Sequence, residues 1–211
     1  MTARESMQPL VLKIGGSLVT TGIAHNVLAM AVASKRPVAI VPGGGAFADA
    51  VRAAQSEQGF DDATAHRLAI QAMHDMAAEF QDMQPGLMAV DSQAGFDEAW
   101  KQDRTPVWLP WPMVAHEPSI PQNWSITSDS LAAWLAGQLP GADVALVKSC
   151  VVPRDASLQA LVAAGITDPQ FPAFVAREGL SWHVLGEGDE ARLARVLGLD
   201  APDLGSASLS I

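Results

Sequence analysis

Short apolar runs recur along the chain. Each breaks at glycine, proline or a charged residue, and a stretch with apolar residues at helical spacing follows. Val11, Leu12 and Ile14 make the first run, and their pattern predicts a strand over Pro9–Ile14. Val38-Ala39-Ile40-Val41 is continuously apolar, as in a strand covered on both faces. Further strands are expected at Leu87–Val90, Val107-Trp108-Leu109, Asp143–Val147 and Trp182–Leu185. Between them, 3.6-residue periodicity predicts helices over Thr21–Ser34, Ala46–Gln58, Asp129–Leu139, Ala156–Ala164 and Asp189–Leu197. A long helix is expected from a cap at Asp61 or Asp62 to near Met83, and one over Asp168–Glu178 broken by Pro169 and Pro172. Gly95–Lys101 reads as a short helix or loop, and Pro110-Trp111-Pro112 and His116–Asn123 as loops. Alternating strands and helices place the chain in the α/β class. Residues 1–200 read as one domain, with 1–8 as a short lead and 201–211 as a loose tail.

Composition narrows the partners. The chain has 211 residues, 49% of them hydrophobic, which suffices for one large core. A net charge of −10 argues against a general nucleic-acid or anionic-membrane binder, while a few local cations still suffice for a small anion. The lysines are Lys13, Lys35, Lys101 and Lys148, and Lys13 and Lys148 end apolar, strand-like runs. The single cysteine, Cys150, forms no internal disulfide and no cysteine-based zinc site, and it reads as a small buried hydrophobe. No stretch approaches the ~20 apolar residues needed to span a bilayer, so a cytoplasmic protein is expected.

Candidate chemistry gathers at predicted strand ends. In Lys13-Ile14-Gly15-Gly16-Ser17, the glycines let backbone N–H groups approach an oxyanion, and a strand lysine is explained by a buried negative charge or by snorkelling at an edge. Gly43-Gly44-Gly45 follows the second strand, Thr127-Ser128-Asp129-Ser130 opens a helix, and Lys148-Ser149 ends a later strand. Loops at the carboxyl ends of parallel strands form the ligand crevice of such folds. Two glycine loops, two lysines and a carboxylate able to orient both ammonium groups suit a ligand with several phosphate charges. No G-x-x-x-x-G-K-[ST] run is present, but Gly43–Ala48 satisfies G-x-G-x-x-A, so an NAD(P)-dependent oxidoreductase is a rival reading. Its ribose partner would be Asp61 or Asp62, and it leaves Lys13 and Lys148 without a role.

Val11–Ser17, Val41–Gly45 and Thr127–Ala133 together resemble the amino acid kinase family, over residues 9 to about 149 and more loosely to about 197. Pro42–Arg52, Ala65–Met73 and Trp124–Ala136 are similar to its small archaeal and methylotroph branch, which includes a kinase of aminomethylfuran phosphate in methanofuran biosynthesis. The resemblance implies a three-layer α/β/α sandwich with a mainly parallel central sheet, and ATP-dependent phosphoryl transfer to a small-molecule acceptor. Mg²⁺ would be held by the phosphates rather than by protein ligands. It implies that Lys13 lies against the transferring oxygens, that Asp129 orients the lysines, and that Gly15, Gly16 and Ser17 contact ATP. It places Lys148, with Ser149 beside it, near the nucleotide, and Gly43, Gly44 and Gly45 toward the acceptor. A homo-oligomer is expected. The chain departs from the family in reading Lys148-Ser149-Cys150-Val151-Val152-Pro153 where an Asp-Gly usually continues, and no lysine follows Lys148. A non-catalytic nucleotide- or oxyanion-binding protein of the same fold is the alternative.

The acceptor pocket has further candidates. Asp49 and Arg52 share a helix face, either as acceptor ligands for an amine and a phosphate or as a surface ion pair. His66 and His74 lie on one helical stripe with Ile70, as core-edge residues or, for His66, at the pocket. Trp108, Trp111 and Trp124 either wall an aromatic acceptor or simply pack, and Ser128 joins the set at the start of the Asp129 helix.

Overall fold

A computed structural model describes residues 7–199. In chain order its elements are β1 (Leu10–Ile14), α1 (Ser17–Thr20), α2 (Ile23–Val32), β2 (Val38–Pro42), α3 (Gly45–Gln58), α4 (Asp62–Met83), β3 (Leu87–Val90), α5 (Gln93–Lys101), β4 (Thr105–Trp108), α6 (Trp111–Val114), α7 (Ser128–Gln138), β5 (Asp143–Val147), α8 (Leu158–Ala163), α9 (Phe171–Glu178), β6 (Trp182–Leu185) and α10 (Glu190–Val196). The expected tail 201–211 and residues 1–6 of the lead lie outside the described residues.

The strands form one parallel sheet in the order β3-β4-β2-β1-β5-β6, with helices on both faces. Side-chain alternation explains the three layers. On β1, Leu10, Leu12 and Ile14 enter a core shared with α2 and α10, together with Val38 and Ile40 of β2 and Ala145 and Val147 of β5. Val11, Ala39, Val41, Val144 and Leu146 enter the opposite core, built with α5, α7 and α9. Helix α4 contributes to both cores: Ile70 and Met73 join the second, and Met76, Ala77 and Phe80 the first. Lys13 has the parity of Val11, so it points toward α7.

β1 pairs with β2 on one side and β5 on the other, Lys13 being level with Val41 and Leu146. The chain therefore moves off in opposite directions from β1 and β5. Their carboxyl ends make a topological switch point, where connections diverge and leave a crevice.

Several boundaries differ from the sequence expectation. Gly22 has φ +74, which separates the single turn α1 from α2. β4 starts at Thr105 and stops short of Leu109. Pro110-Trp111-Pro112 is not a plain loop, because Pro112 lies in the first turn of α6, where no intrahelical N–H is needed. Pro172 holds the same kind of position in α9 and leaves it unbroken. Asp61 caps α4 by accepting a hydrogen bond from Thr64 N at 2.8 Å.

Candidate functional site

A cavity of about 470 Å³ opens at the switch point, lined by the loops after β1, β2 and β5, the start of α7 and one side of α3 and α4. Lys13, the next-to-last residue of β1, reaches it and is only 6% exposed. Lys148 reaches it from the end of β5. Asp129, 3% exposed in the first turn of α7, stands between them. Its Oδ1 is 3.0 Å from Lys13 Nζ, off-axis for a hydrogen bond, and its Oδ2 accepts from Lys148 Nζ at 2.6 Å.

One carboxylate thus holds two ammonium groups. Burial alone would raise the Asp129 pKa; the adjacent Lys13 and Lys148 charges outweigh it and hold the carboxyl below its ordinary value. The Lys148 pKa is lowered too, which for an ammonium disfavours the charged form. Burial and the Lys13 charge lower it, Asp129 and Asp168 oppose them, and the result is about 8. With both lysines protonated the trio carries one net positive charge, suited to receiving phosphate oxygens.

The glycine loops divide their work. Gly15 N donates to Val147 O at 3.1 Å and Gly43 N to Ile14 O at 2.8 Å, so those two N–H groups tie the loops to the sheet. At the start of α1, Leu18 N and Val19 N already bond Gly15 O and Gly16 O at 3.0 and 3.1 Å; Gly16 and Ser17 there, and Gly44 and Gly45 at the start of α3, line the cavity. A Cβ on Gly16 would fall 2.3 Å from Gly45 Cα, so a side chain there would push the two loops apart. Ser17 and Ser149 share a hydrogen bond at 2.8 Å, which joins the loops after β1 and β5.

Farther along α3 and α4 the cavity is lined by Asp49, Arg52 and His66, with Trp124 against Arg52, while Ser128 lines it beside Asp129. Asp49 and Arg52 do not pair with each other, and among the described residues neither forms an ion pair. The Arg52 guanidinium lies 3.7 Å from the centre of the Trp124 ring, and Trp124 Nε1 donates to Gln55 Oε1 at 2.6 Å. Burial lowers the pKa of His66 below its ordinary value, so it meets the cavity as a neutral ring at pH 7.

Other candidates fall elsewhere. Trp108 is fully buried and stacked on Trp134 at 6.0 Å, so it walls the core instead of an acceptor. Trp111 lines a separate cleft, and its N–H donates to His74 Nε2 at 3.1 Å, which takes His74 away from the site. Cys150 is exposed at the cavity rim rather than buried, because β5 has already ended at Val147. Asp61 caps α4 and Asp62 is its first residue, both in the connection between two helices, so the G-x-G-x-x-A run lacks a ribose-binding acid at a strand end. Sequence reasoning missed Gln55 and Asp168. The local pattern around Asp168, an acid just before a proline, marks a helix start and nothing more. Among the described residues, no group of three or more His, Cys, Asp or Glu side chains is placed to hold a metal ion, and no helix is long and apolar enough to cross a membrane.

A strand-end crevice with two glycine loops and a two-lysine, one-carboxylate cluster defines a class: the chain belongs to the amino acid kinase family, whose model matches residues 8–149. Over 127 residues it is 27% identical to the (5-(aminomethyl)furan-3-yl)methyl phosphate kinase of Methanocaldococcus jannaschii, a match covering 59% of this chain and 58% of that protein. The chain therefore spans somewhat over half the length of that relative. Its fold is similar to that of a uridylate kinase from Archaeoglobus fulgidus, with TM-score 0.65 and 17% identity over 92% of this chain and 97% of the other. It is also similar to that of an isopentenyl phosphate kinase, with TM-score 0.59 and 13% identity over 92% and 98% of the two chains.

Proposed function

We propose that this protein is a kinase that transfers the γ-phosphoryl group of ATP to a small phosphomonoester. The observation that carries the reading is Asp129 holding Lys13 and Lys148 at 3.0 and 2.6 Å between two glycine loops. Phosphoryl transfer is governed by positioning and charge neutralisation, which preorganised ammonium and N–H groups supply. The residues suit a nucleotide's phosphates: Ser17 and Gly45 at two helix starts line the cavity, and the two loops pack together only because Gly16 carries no Cβ to collide with Gly45. Bound ATP supplies the phosphoryl group, and its Mg²⁺ would be carried chiefly by the phosphates.

The acceptor end supports the substrate class. Among the described residues, Arg52 has a guanidinium without a carboxylate partner, and Asp49 a carboxylate without a cation, on one face of α3. A phosphate on Arg52 and an amine near Asp49 satisfy both groups. An (aminomethyl)furan phosphate carries both, and the curated relative is named for such a substrate. An oxygen of the acceptor phosphate forms the new bond to Pγ, the bond from Pγ to the bridging oxygen breaks, and ADP leaves. A phosphomonoester dianion has no proton to lose, so this step asks no base work of Asp129, which is already committed to two lysines.

The test is acceptor-dependent ADP release, with (aminomethyl)furan phosphate, uridine monophosphate and isopentenyl phosphate compared. The expected result is ADP formation with the furan phosphate, accompanied by a diphosphate product. Tight ATP binding with no ADP release for any acceptor would instead assign the chain to nucleotide binding without turnover.

A further inference from the structure

Asp168 lies outside the proposed reaction, yet its carboxylate is the most heavily bonded side chain beside the cavity. It is 7% exposed, and among the described residues it forms no ion pair. Its Oδ2 accepts from Thr127 N at 2.8 Å, Thr127 Oγ1 at 2.8 Å and Ser130 N at 3.0 Å. Its Oδ1 accepts from Ser130 Oγ, from Gln170 N at 3.1 Å and from Phe171 N at 2.9 Å. Both oxygens are therefore filled by donors from two helix starts, α7 and α9. The turn that leads to Asp168 carries Gly165 and Ile166, which line the cavity, as do Thr127, Ser128 and Asp129. One carboxylate fastens two walls of the cavity together.

We infer that Asp168 is the positioning residue that sets Asp129, and through it both lysines, for phosphoryl transfer; this rests on the kinase reading above. Asp129 sits between Thr127 and Ser130, the two residues that Asp168 grips, so its backbone cannot shift without breaking those bonds. Helix starts otherwise fray, because their N–H groups lack intrahelical partners. Misplacement of a catalytic group by about 1 Å can cost on the order of 100-fold in rate. Asp168 also acts by charge. It favours the ammonium form of Lys148 without touching it, as Asp129 does directly, while Lys13 disfavours that form. Asp168 thus favours the charged form of Lys148 while its own oxygens stay committed to the starts of α7 and α9.

The two effects separate Asp168 from an ordinary structural residue. In Asp168→Asn an NH₂ group faces two or more N–H donors whichever way the amide is turned, and the charge is lost. Ser130→Ala removes one bond and keeps the charge. Phe174→Leu, in the α9 core away from the cavity, serves as a control for lost stability. Steady-state kinetics on folded protein should show kcat reduced about 30-fold in Asp168→Asn and about fivefold in Ser130→Ala, with KM for ATP within about threefold. Phe174→Leu should lower the unfolding midpoint and leave kcat within about twofold. Since the chain holds four lysines, ¹³C-lysine spectra also follow Lys148 without any turnover. Its titration midpoint should fall by about half a pH unit or more in Asp168→Asn and stay in place in Phe174→Leu.

A folded Asp168→Asn with near-wild-type kcat and an unmoved Lys148 midpoint overturns the inference. If Asp168→Asn does not fold, Ser130→Ala decides, and wild-type kcat there overturns it. If the wild-type chain turns over no acceptor, the kinase reading fails by itself. The Lys148 midpoint then still supports or refutes the coupling to Asp168.

Discussion

The two ends of the cavity are built on opposite principles. At the phosphate end, Lys13, Asp129 and Lys148 are buried, mutually paired and held by strands and a helix start. At the proposed acceptor end, Asp49 and Arg52 are exposed on one helix and, among the described residues, form no ion pair, and Arg52 lies against the face of Trp124. Buried pairing costs desolvation but fixes geometry. Exposed, unpaired groups fix little and retain their hydrogen-bonding capacity for a ligand. On the proposed function, the contrast means that the reacting phosphoryl group meets preset charge, while the acceptor completes its own end of the site.

The largest test breaks the preset end. Lys13→Ala removes an ammonium expected to matter most in the transition state, so kcat should fall by about 10³-fold while KM for ATP changes less than about fivefold. A comparable loss in both constants would show Lys13 acting only in nucleotide binding. Asp129→Asn comes next. It leaves two buried ammonium groups uncompensated, so kcat should drop about 100-fold and the urea midpoint should fall, with a stability cost of about 3 kcal/mol. Because Asp129 has a depressed folded pKa, its contribution is present above the unfolded carboxyl pKa and lost as pH falls through the folded value. The wild type should therefore lose more stability in acid than Asp129→Asn does.

Arg52→Ala breaks the other end. Acceptor KM should rise about 30-fold with kcat within about threefold, the reverse of the Lys13→Ala signature. The smallest effect sharpens the comparison through pH. Lys148 titrates near about 8, so kcat/KM should fall about tenfold per unit once pH rises above that value, as its ammonium is lost. The limb in kcat should lie higher, because bound phosphates favour the charged form. A limb that moved with Arg52→Ala but not with Lys13→Ala would reverse the assignment of the two ends.

What could be read in advance follows the same division. Continuous apolar runs such as Val38–Val41 are hard to place anywhere but a covered strand, and a lysine at the end of such a run implies a buried partner. That made β1, β2, β5 and the Lys13, Asp129 and Lys148 set legible. Trp108 was ambiguous because alternation shows that a residue is on a face and not which face borders a cavity. Cys150 was misplaced by one fact of register: the strand before it ends at Val147. Asp168 was illegible for a deeper reason. Four of its six donors are backbone N–H groups, which every non-proline residue carries.

The position of β1 has a consequence in time. Of the described strands, β1 is made before the others and is also a central one, and its partner on one side, β5, is paired through Leu10 with Asp143. At ribosomal rates of about 5–20 residues per second, roughly 7 to 27 seconds separate their synthesis. Until then β1 has one bare edge, which a growing chain must shield from wrong pairings. Both glycine loops are made early, but the second ammonium arrives only with residue 148. A nascent or truncated chain that ends before it holds a cradle for phosphates and only half the charge proposed to work on them.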